Sequence, residues 1–285
     1  MSKQKDQNYL LGDRYRDQNY LLKDQYKDAS NLNARIDLHV RFSTNKYGWH
    51  RWVFDQFKFS PESRILELGC GPGRLWLENL HRIPDGWDIT LSDFSPGMLQ
   101  EAKRNLNSGR HPFKFEVVDA QAISFADESL DAVIANHMLY HVPDREKAFS
   151  EIRRVLKPGG RFYAATVGQN HLRELRELVR RFGPGIPTDG SRVRMSEGFS
   201  LENGLGQLSR WFSKVALNRY EDALTVTEAE PIVAYVRSGE SLVEEMLTEL
   251  QRYVEKEIQL GGDIHITKDT GIFEAWNDGP ASLRG

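Results

Sequence analysis

The chain has 285 residues, 39% of them hydrophobic and 28% charged, with a formal net charge of −3 at pH 7. That length suits a full α/β domain with an accessory element, and the charge balance gives no electrostatic footprint for nucleic acid or an anionic membrane. No apolar run reaches the length of a membrane span, the charged start is no signal peptide, and the single cysteine, Cys70, permits no internal disulfide, so a cytoplasmic protein is the expectation.

Taken in order, the chain opens on a tandem repeat: residues 7–17 and 18–28 are near copies, 11 residues each. That period is about three helical turns, so Leu11, Tyr15, Leu22 and Tyr26 fall on one stripe. Two copies are too few for a solenoid. The first reads as a duplicated, partly frayed arm and the second as a segment that runs into the core to cover a ligand. Aromatic and basic residues crowd 31–59, where Asn31 or Asn33 can cap a helix carrying Ile36 and Val40, and residues 52–57 read as a second helix.

Residues 64–74 organise the rest. A strand-forming apolar run ends at Glu67 and breaks into Gly69, Gly71 and Gly73, and an amphipathic segment, 75–80, follows. This is a buried parallel strand, a tight turn and a helix start. Arg74 stands where a dinucleotide fingerprint needs its third glycine, and no phosphate loop is present. A carboxylate here repels a pyrophosphate and suits a cationic ligand. The segment resembles the first motif of class I S-adenosylmethionine-dependent methyltransferases. Cys70, between two of the glycines, reads as a small turn-filling residue.

A second strand over residues 89–92 ends at Asp93, with Ser95 and Pro96 opening a helix through residue 105. Asp93, Phe94, Ser95, Pro96, Gly97 and Met98 resemble the family's second motif, which implies Asp93 on the ribose hydroxyls and Phe94 and Met98 flanking the adenine. After a third strand, 115–118, Asp119, Ala120 and Gln121 match the place where the family accepts from the adenine amino group. Ile123, Ser124 and Phe125 resemble its apolar clamp. A fourth strand, 130–135, leads to Asn136 and His137. Pro143 and Asp144 open a helix with Ala148, Ile152 and Val155 on one stripe, and residues 157–160 turn into a fifth strand, 162–166. Strand, turn and helix repeated with right-handed crossovers give a doubly wound parallel sheet, and the resemblance implies a mostly parallel seven-stranded, Rossmann-like one.

The resemblance covers residues 60–170 strongly. It divides the chain into an arm and helices over the cofactor pocket (1–59), an S-adenosylmethionine-binding core (60–170), and cap helices with closing strands (171–285). It implies cofactor contacts at Glu67, Gly69, Cys70, Gly71, Asp93, Phe94, Met98, Asp119, Ala120, Gln121 and Asn136, with Tyr26, Arg35 and Arg41 toward the methionine end. S-adenosyl-L-homocysteine is then the product. His137 is the general base if one is needed, and His141 a packing residue. No Asn-Pro-Pro-Tyr run or magnesium-binding cluster is present.

Beyond residue 166, residues 170–182 read as a helix whose arginines and glutamates pair at i,i+3 and i,i+4, and 183–190 as a loop. Residues 212–220 and 264–274 read as strands with two helices inserted between them as a cap, and Trp211, Phe212 and Tyr220 are assigned either to its lining or to core. The expectation is methyl transfer to a small molecule by in-line displacement, with no metal, nucleic acid or membrane partner and a possible homo-oligomer through the arm. Methylation of RNA or protein, cofactor binding without transfer, and a nicotinamide dehydrogenase are the alternatives.

Overall fold

A computed structural model describes residues 17–28, 30–107, 109, 111–183, 198–239 and 242–279. Most of the first repeat copy, and the loop expected over 183–190 apart from Gly183, lie outside the described residues. One seven-stranded sheet has the order β3-β2-β1-β4-β5-β7-β6. β1 (Arg64–Leu68), β2 (Asp88–Asp93), β3 (Lys114–Val117), β4 (Leu130–Asn136) and β5 (Leu156–Val167) pair in parallel. β7 (Ile264–Asn277) runs antiparallel between β5 and β6 (Lys214–Val226). The order reverses beside β1, where the chain leaves β3 and returns to β4 on the other side. The crevice at that reversal, outside the strand C-termini, is the ligand position of doubly wound sheets.

Period-2 alternation sends neighbouring residues of each strand to opposite layers. Leu66 and Leu68 of β1 pack with Phe149 and Ile152 of α5 (Arg145–Val155). Ile65 packs on the other face with Val53 and Phe54 of α2 (Trp49–Asp55) and Leu99 of α4 (Pro96–Leu106). Central strands buried on both faces explain the continuous apolar runs in their sequence. A separate core joins α1 (Ser30–Phe42), α6 (Arg173–Phe182), α8 (Ala229–Arg237) and α9 (Glu244–Gly261) through Leu38, Leu178, Ile232 and Leu250. The last two helices are the insertion between β6 and β7, so the cap is built from both ends of the chain.

Several boundaries differ from the sequence reading. Helix α1 begins at Ser30, whose N–H donates to Asp28 at 2.9 Å, so Asn31 and Asn33 lie inside the helix instead of capping it. Its inner face is Leu38 and Phe42, while Val40 is exposed. α3 (Arg74–Leu77) is one turn, continued by a 3₁₀ turn at Leu80–Arg82 rather than a single helix over 75–80. Residues 157–160 fall inside β5, accommodated by a register irregularity opposite β4. The arginines of α6 do not form the expected ladder: Arg173 pairs with adjacent Glu174, and Arg181 with Glu257 on α9.

Candidate functional site

A cavity of about 840 Å³ opens over the C-terminal edge of the sheet. It lies toward the upper end of the roughly 300–1,000 Å³ usual for small-molecule sites. The turns after β1, β2, β3 and β4 line one side. On the other side β7 contributes through its antiparallel pairing. Thr270 lies opposite Val167, at the C-terminal end of β5, and Lys268 lines the cavity two residues earlier.

The β1–β3 side is held by backbone. Gly69 has φ +67°, and a Cβ there would sit 2.8 Å from Met138, so only glycine closes this turn against the β4 loop. Asp93, at the tip of β2, accepts the N–H of Gly71 at 2.9 Å and that of Ser95 at 2.8 Å. Glu67, 2% exposed, accepts the Trp76 indole N–H at 2.6 Å and the Asn136 amide at 3.3 Å. Burial pushes its carboxyl up to about 7 and that of Asp93 up to about 6. Among the described residues the buried Asn136 Oδ1 has no hydrogen-bond partner. Asp119 accepts the Gln121 N–H at 2.9 Å, and the side-chain Oε1 of Gln121 accepts from the Asp144 N–H at 3.1 Å. Phe94, Met98, Ala120 and Cys70 complete this wall, and burial pushes the Cys70 thiol well up, which leaves it unreactive.

The second repeat copy lies across this side. A three-residue α turn, Gln18–Tyr20, continues as a π-helix, Leu21–Gln25. The Ser95 hydroxyl donates to the Tyr26 carbonyl at 2.8 Å while accepting the Met98 N–H as the cap of α4. The Tyr26 hydroxyl lies 2.8 Å from Nε2 of His141, so His141 anchors the strap as well as packing.

Other assignments need correction. Arg35 lines the cavity, but its guanidinium is committed to Ser238 at 3.0 and 2.8 Å. Arg41 is outside it, paired with Asp37 and Glu228. Ile123 and Phe125 pack into the sheet core instead of clamping the cavity, which the chain after β3 lines only as far as Gln121. For Trp211, Phe212 and Tyr220 the packing assignment holds, since none of them lines the cavity. Trp211 donates to Glu146, Phe212 stacks on Phe162, and Tyr220 packs on Trp49 and Trp52.

His137, with φ +52°, stands where the two sides meet, its ring 5.2 Å from that of Trp49. Burial, then the charges of His50 and Lys268, pull it down to about 4, so it is neutral at pH 7. Farther in are groups the sequence reading missed: His39, His171, Lys268 and Thr270. They come from α1, the segment after β5, and β7, with no local motif to join them. His39 and His171 stack at 5.8 Å between ring centres. Burial, more than the nearby charges, holds His39 down at about 3 and His171 well below the ordinary range.

A family model for a methyltransferase domain matches residues 66–164, the span that supplies Glu67, Asp93, Asp119 and Asn136. Demethylmenaquinone methyltransferase of Renibacterium salmoninarum is 37% identical over 176 residues, covering 59% of this chain and 71% of its own. The chain belongs to the class I S-adenosylmethionine-dependent methyltransferases. The ubiquinone/menaquinone biosynthesis C-methyltransferase UbiE of Geotalea daltonii is 34% identical over 115 residues, 40% of this chain and 49% of its own. The chain thus spans about half the length of several curated relatives it matches. The fold is shared with phosphoethanolamine N-methyltransferase 2 of Haemonchus contortus, solved with S-adenosyl-L-methionine, at TM-score 0.56 and 19% identity over 93% of this chain and 60% of that one.

The cofactor of this family is S-adenosylmethionine, and the β1–β3 side fits it chemically. An unfilled amide acceptor beside a buried carboxylate suits an ammonium, and carboxylates at strand tips suit hydroxyl and amino donors. Among the described residues no helix is long and apolar enough to cross a membrane.

Proposed function

We propose that the chain transfers the methyl group of S-adenosylmethionine to a small molecule held beside His137. The observation that carries this is the convergence of Glu67, Asp93 and Asp119, from the tips of successive strands, on one cavity that also extends past His137. In this reading Asp93 accepts the ribose hydroxyls, and Asp119, Ala120 and Gln121 face the adenine amino edge between Phe94 and Met98. Glu67, Asn136 and the turn Gly69, Cys70 and Gly71 receive the methionine end, with Tyr26 closing over it. When bound, the cofactor supplies an already activated methyl. The chain's own part is to hold the acceptor in line and exclude water. His137, neutral and weakly basic, takes a proton that becomes acidic as the acceptor atom gains its methyl.

Calorimetry with S-adenosylhomocysteine, then turnover of labelled S-adenosylmethionine against an acceptor panel, tests the reading. Demethylmenaquinone, which the names of relatives supply, is the first acceptor to try. Binding without turnover of any acceptor selects a non-catalytic protein; binding of NADH instead removes the proposal. RNA and protein acceptors are not favoured. A cytoplasmic location is proposed on the single thiol, and a homo-oligomer through the arm on its duplicated sequence. A monomer in sedimentation velocity removes the latter.

A further inference from the structure

We infer that the part of the cavity beyond His137 is selective for an anionic oxygen, and that it grips its ligand, the methyl acceptor of the function proposed above, by a carboxylate or phenolate placed against Lys268, His171 and Thr270. The argument begins with a cross-strand pair. Asp222 of β6 lies opposite Lys268 of β7, and the two form an ion pair with side chains 0% and 7% exposed. Asp222 is fully committed: besides Lys268 it accepts from the Ser43 hydroxyl and from the N–H groups of Asn45 and Ala223 at 2.9 and 2.8 Å.

Lys268 is not. An ammonium has three donors. Among the described residues its one acceptor is Asp222, and the Tyr220 ring covers it at 5.7 Å. The remaining N–H groups belong to a side chain that lines the cavity. A buried ammonium with unmatched donors is costly, and a ligand oxygen relieves it.

Three neighbours add hydrogen-bonding groups without adding charge. Thr270 is 5% exposed, and its hydroxyl has no partner among the described residues. His171 accepts the Asp269 N–H on Nδ1 at 3.2 Å, so its neutral ring carries the proton on Nε2, as a donor. His39, stacked on it, has a buried Nδ1 that likewise has no partner among the described residues. The carboxylates lining the cavity are Glu67, Glu78, Asp93 and Asp119, none of them from the β5–β7 end. A ligand anion is therefore repelled from the cofactor end and drawn to the other, which turns the rest of the acceptor toward His137.

The test is calorimetry at pH 8, with and without saturating S-adenosylhomocysteine, using benzoate, 4-nitrophenolate, benzyl alcohol and benzylamine as probes. We expect the better of the two anions to bind at least about tenfold tighter than benzyl alcohol, a difference of about 1.4 kcal/mol, with benzylamine weakest. Which anion wins separates a carboxylate acceptor from a phenolate one. The double substitution Lys268→Met with Asp222→Asn removes both charges together and is expected to abolish the preference while leaving S-adenosylhomocysteine affinity unchanged. Should that variant fail to fold, Thr270→Val and His39→Phe each lower anion affinity several-fold and leave benzyl alcohol unaffected. Equal binding of alcohol and anions by the native chain overturns the inference, as does anion preference that survives these substitutions. Anion preference in a chain that does not bind S-adenosylhomocysteine overturns the transferase reading and leaves this one standing.

Discussion

At the tips of β1, β2 and β3 the cavity is lined by carboxylates pinned by backbone N–H groups and an indole; beside β5 and β7 it is lined by an ammonium and two neutral imidazoles. The first side is assembled from short segments of contiguous sequence, each a strand end and the turn that follows it. The second is assembled from single residues that only the closed sheet brings together. On the proposed reading, the side that recognises a fixed cofactor is written as motifs, and the side that selects an acceptor is written as register. Lys268 meets the cavity because β7 pairs antiparallel to β5 and places it near that strand's C-terminal end.

The sharpest way to break this contrast is at the Lys268–Asp222 pair. Lys268→Met alone leaves a wholly buried carboxylate without its counter-charge, and we expect a loss of about 3–5 kcal/mol in urea unfolding. The double substitution with Asp222→Asn is expected to recover more than half of it, since amide and backbone partners remain. A single-variant loss below about 1 kcal/mol would mean that water already reaches the pair.

Asp93→Ala tests the opposite side. If Asp93 holds the ribose as proposed, the variant loses two charge-assisted hydrogen bonds to it and the Gly71 turn loses its acceptor, so S-adenosylhomocysteine should bind about 100-fold more weakly. Benzoate binding should not change. Equal affinity in variant and native chain removes Asp93 from the cofactor site.

These two tests mark what sequence makes legible. Glu67, Asp93 and Asp119 are visible because a strand's apolar run stops at each tip, and glycine or proline marks the turn after the first two. The sheet is visible for the same reason, since strands buried on both faces write unbroken apolar runs. Helix starts are less so: α1 begins at Ser30, ahead of both asparagines that the apolar pattern offers as caps. Ile123 and Phe125, apolar residues after a strand, look alike whether they cover a ligand or a core, and tertiary direction alone sends them to the core. His39, His171 and Lys268 carry no local signal. Each reads as an ordinary polar residue until α1, the end of β5 and β7 meet.

Acid pH should separate the halves less strongly but in a defined sense. Burial raises Glu67 to about 7 and Asp93 to about 6, so between the ordinary carboxylate range and neutrality the folded chain holds more protons than the unfolded one. Their contribution to stability therefore rises as pH falls through that window. Cofactor affinity moves the other way, because the sulfonium and ammonium favour ionised carboxylates. From the Glu67 value alone, S-adenosylmethionine should bind about tenfold more weakly at pH 6 than at pH 8 by calorimetry. Adenosine, which carries neither charge, should lack this dependence on Glu67. Affinity that rises toward pH 6 would contradict the assignment of Glu67 to the charged end of the cofactor.

The smallest effect is expected at the strap, and it asks whether the halves are independent. The segment is anchored at the tip of β2 by Ser95 and beyond β4 by His141. It lies so close on the first turn of α4 that a Cβ at Gly97 would sit 2.3 Å from the Lys27 carbonyl oxygen. Both anchors belong to the cofactor side, so opening the strap should release cofactor and leave the Lys268 side untouched. Tyr26→Phe removes the bond to His141 at a net cost of about 0.5–1.5 kcal/mol, which corresponds to a roughly two- to tenfold faster release of S-adenosylhomocysteine in stopped flow. Benzoate affinity measured on the same variant should stay constant. If both change by the same factor, the strap closes the whole cavity as one unit, and the acceptor cannot exchange while the cofactor stays bound.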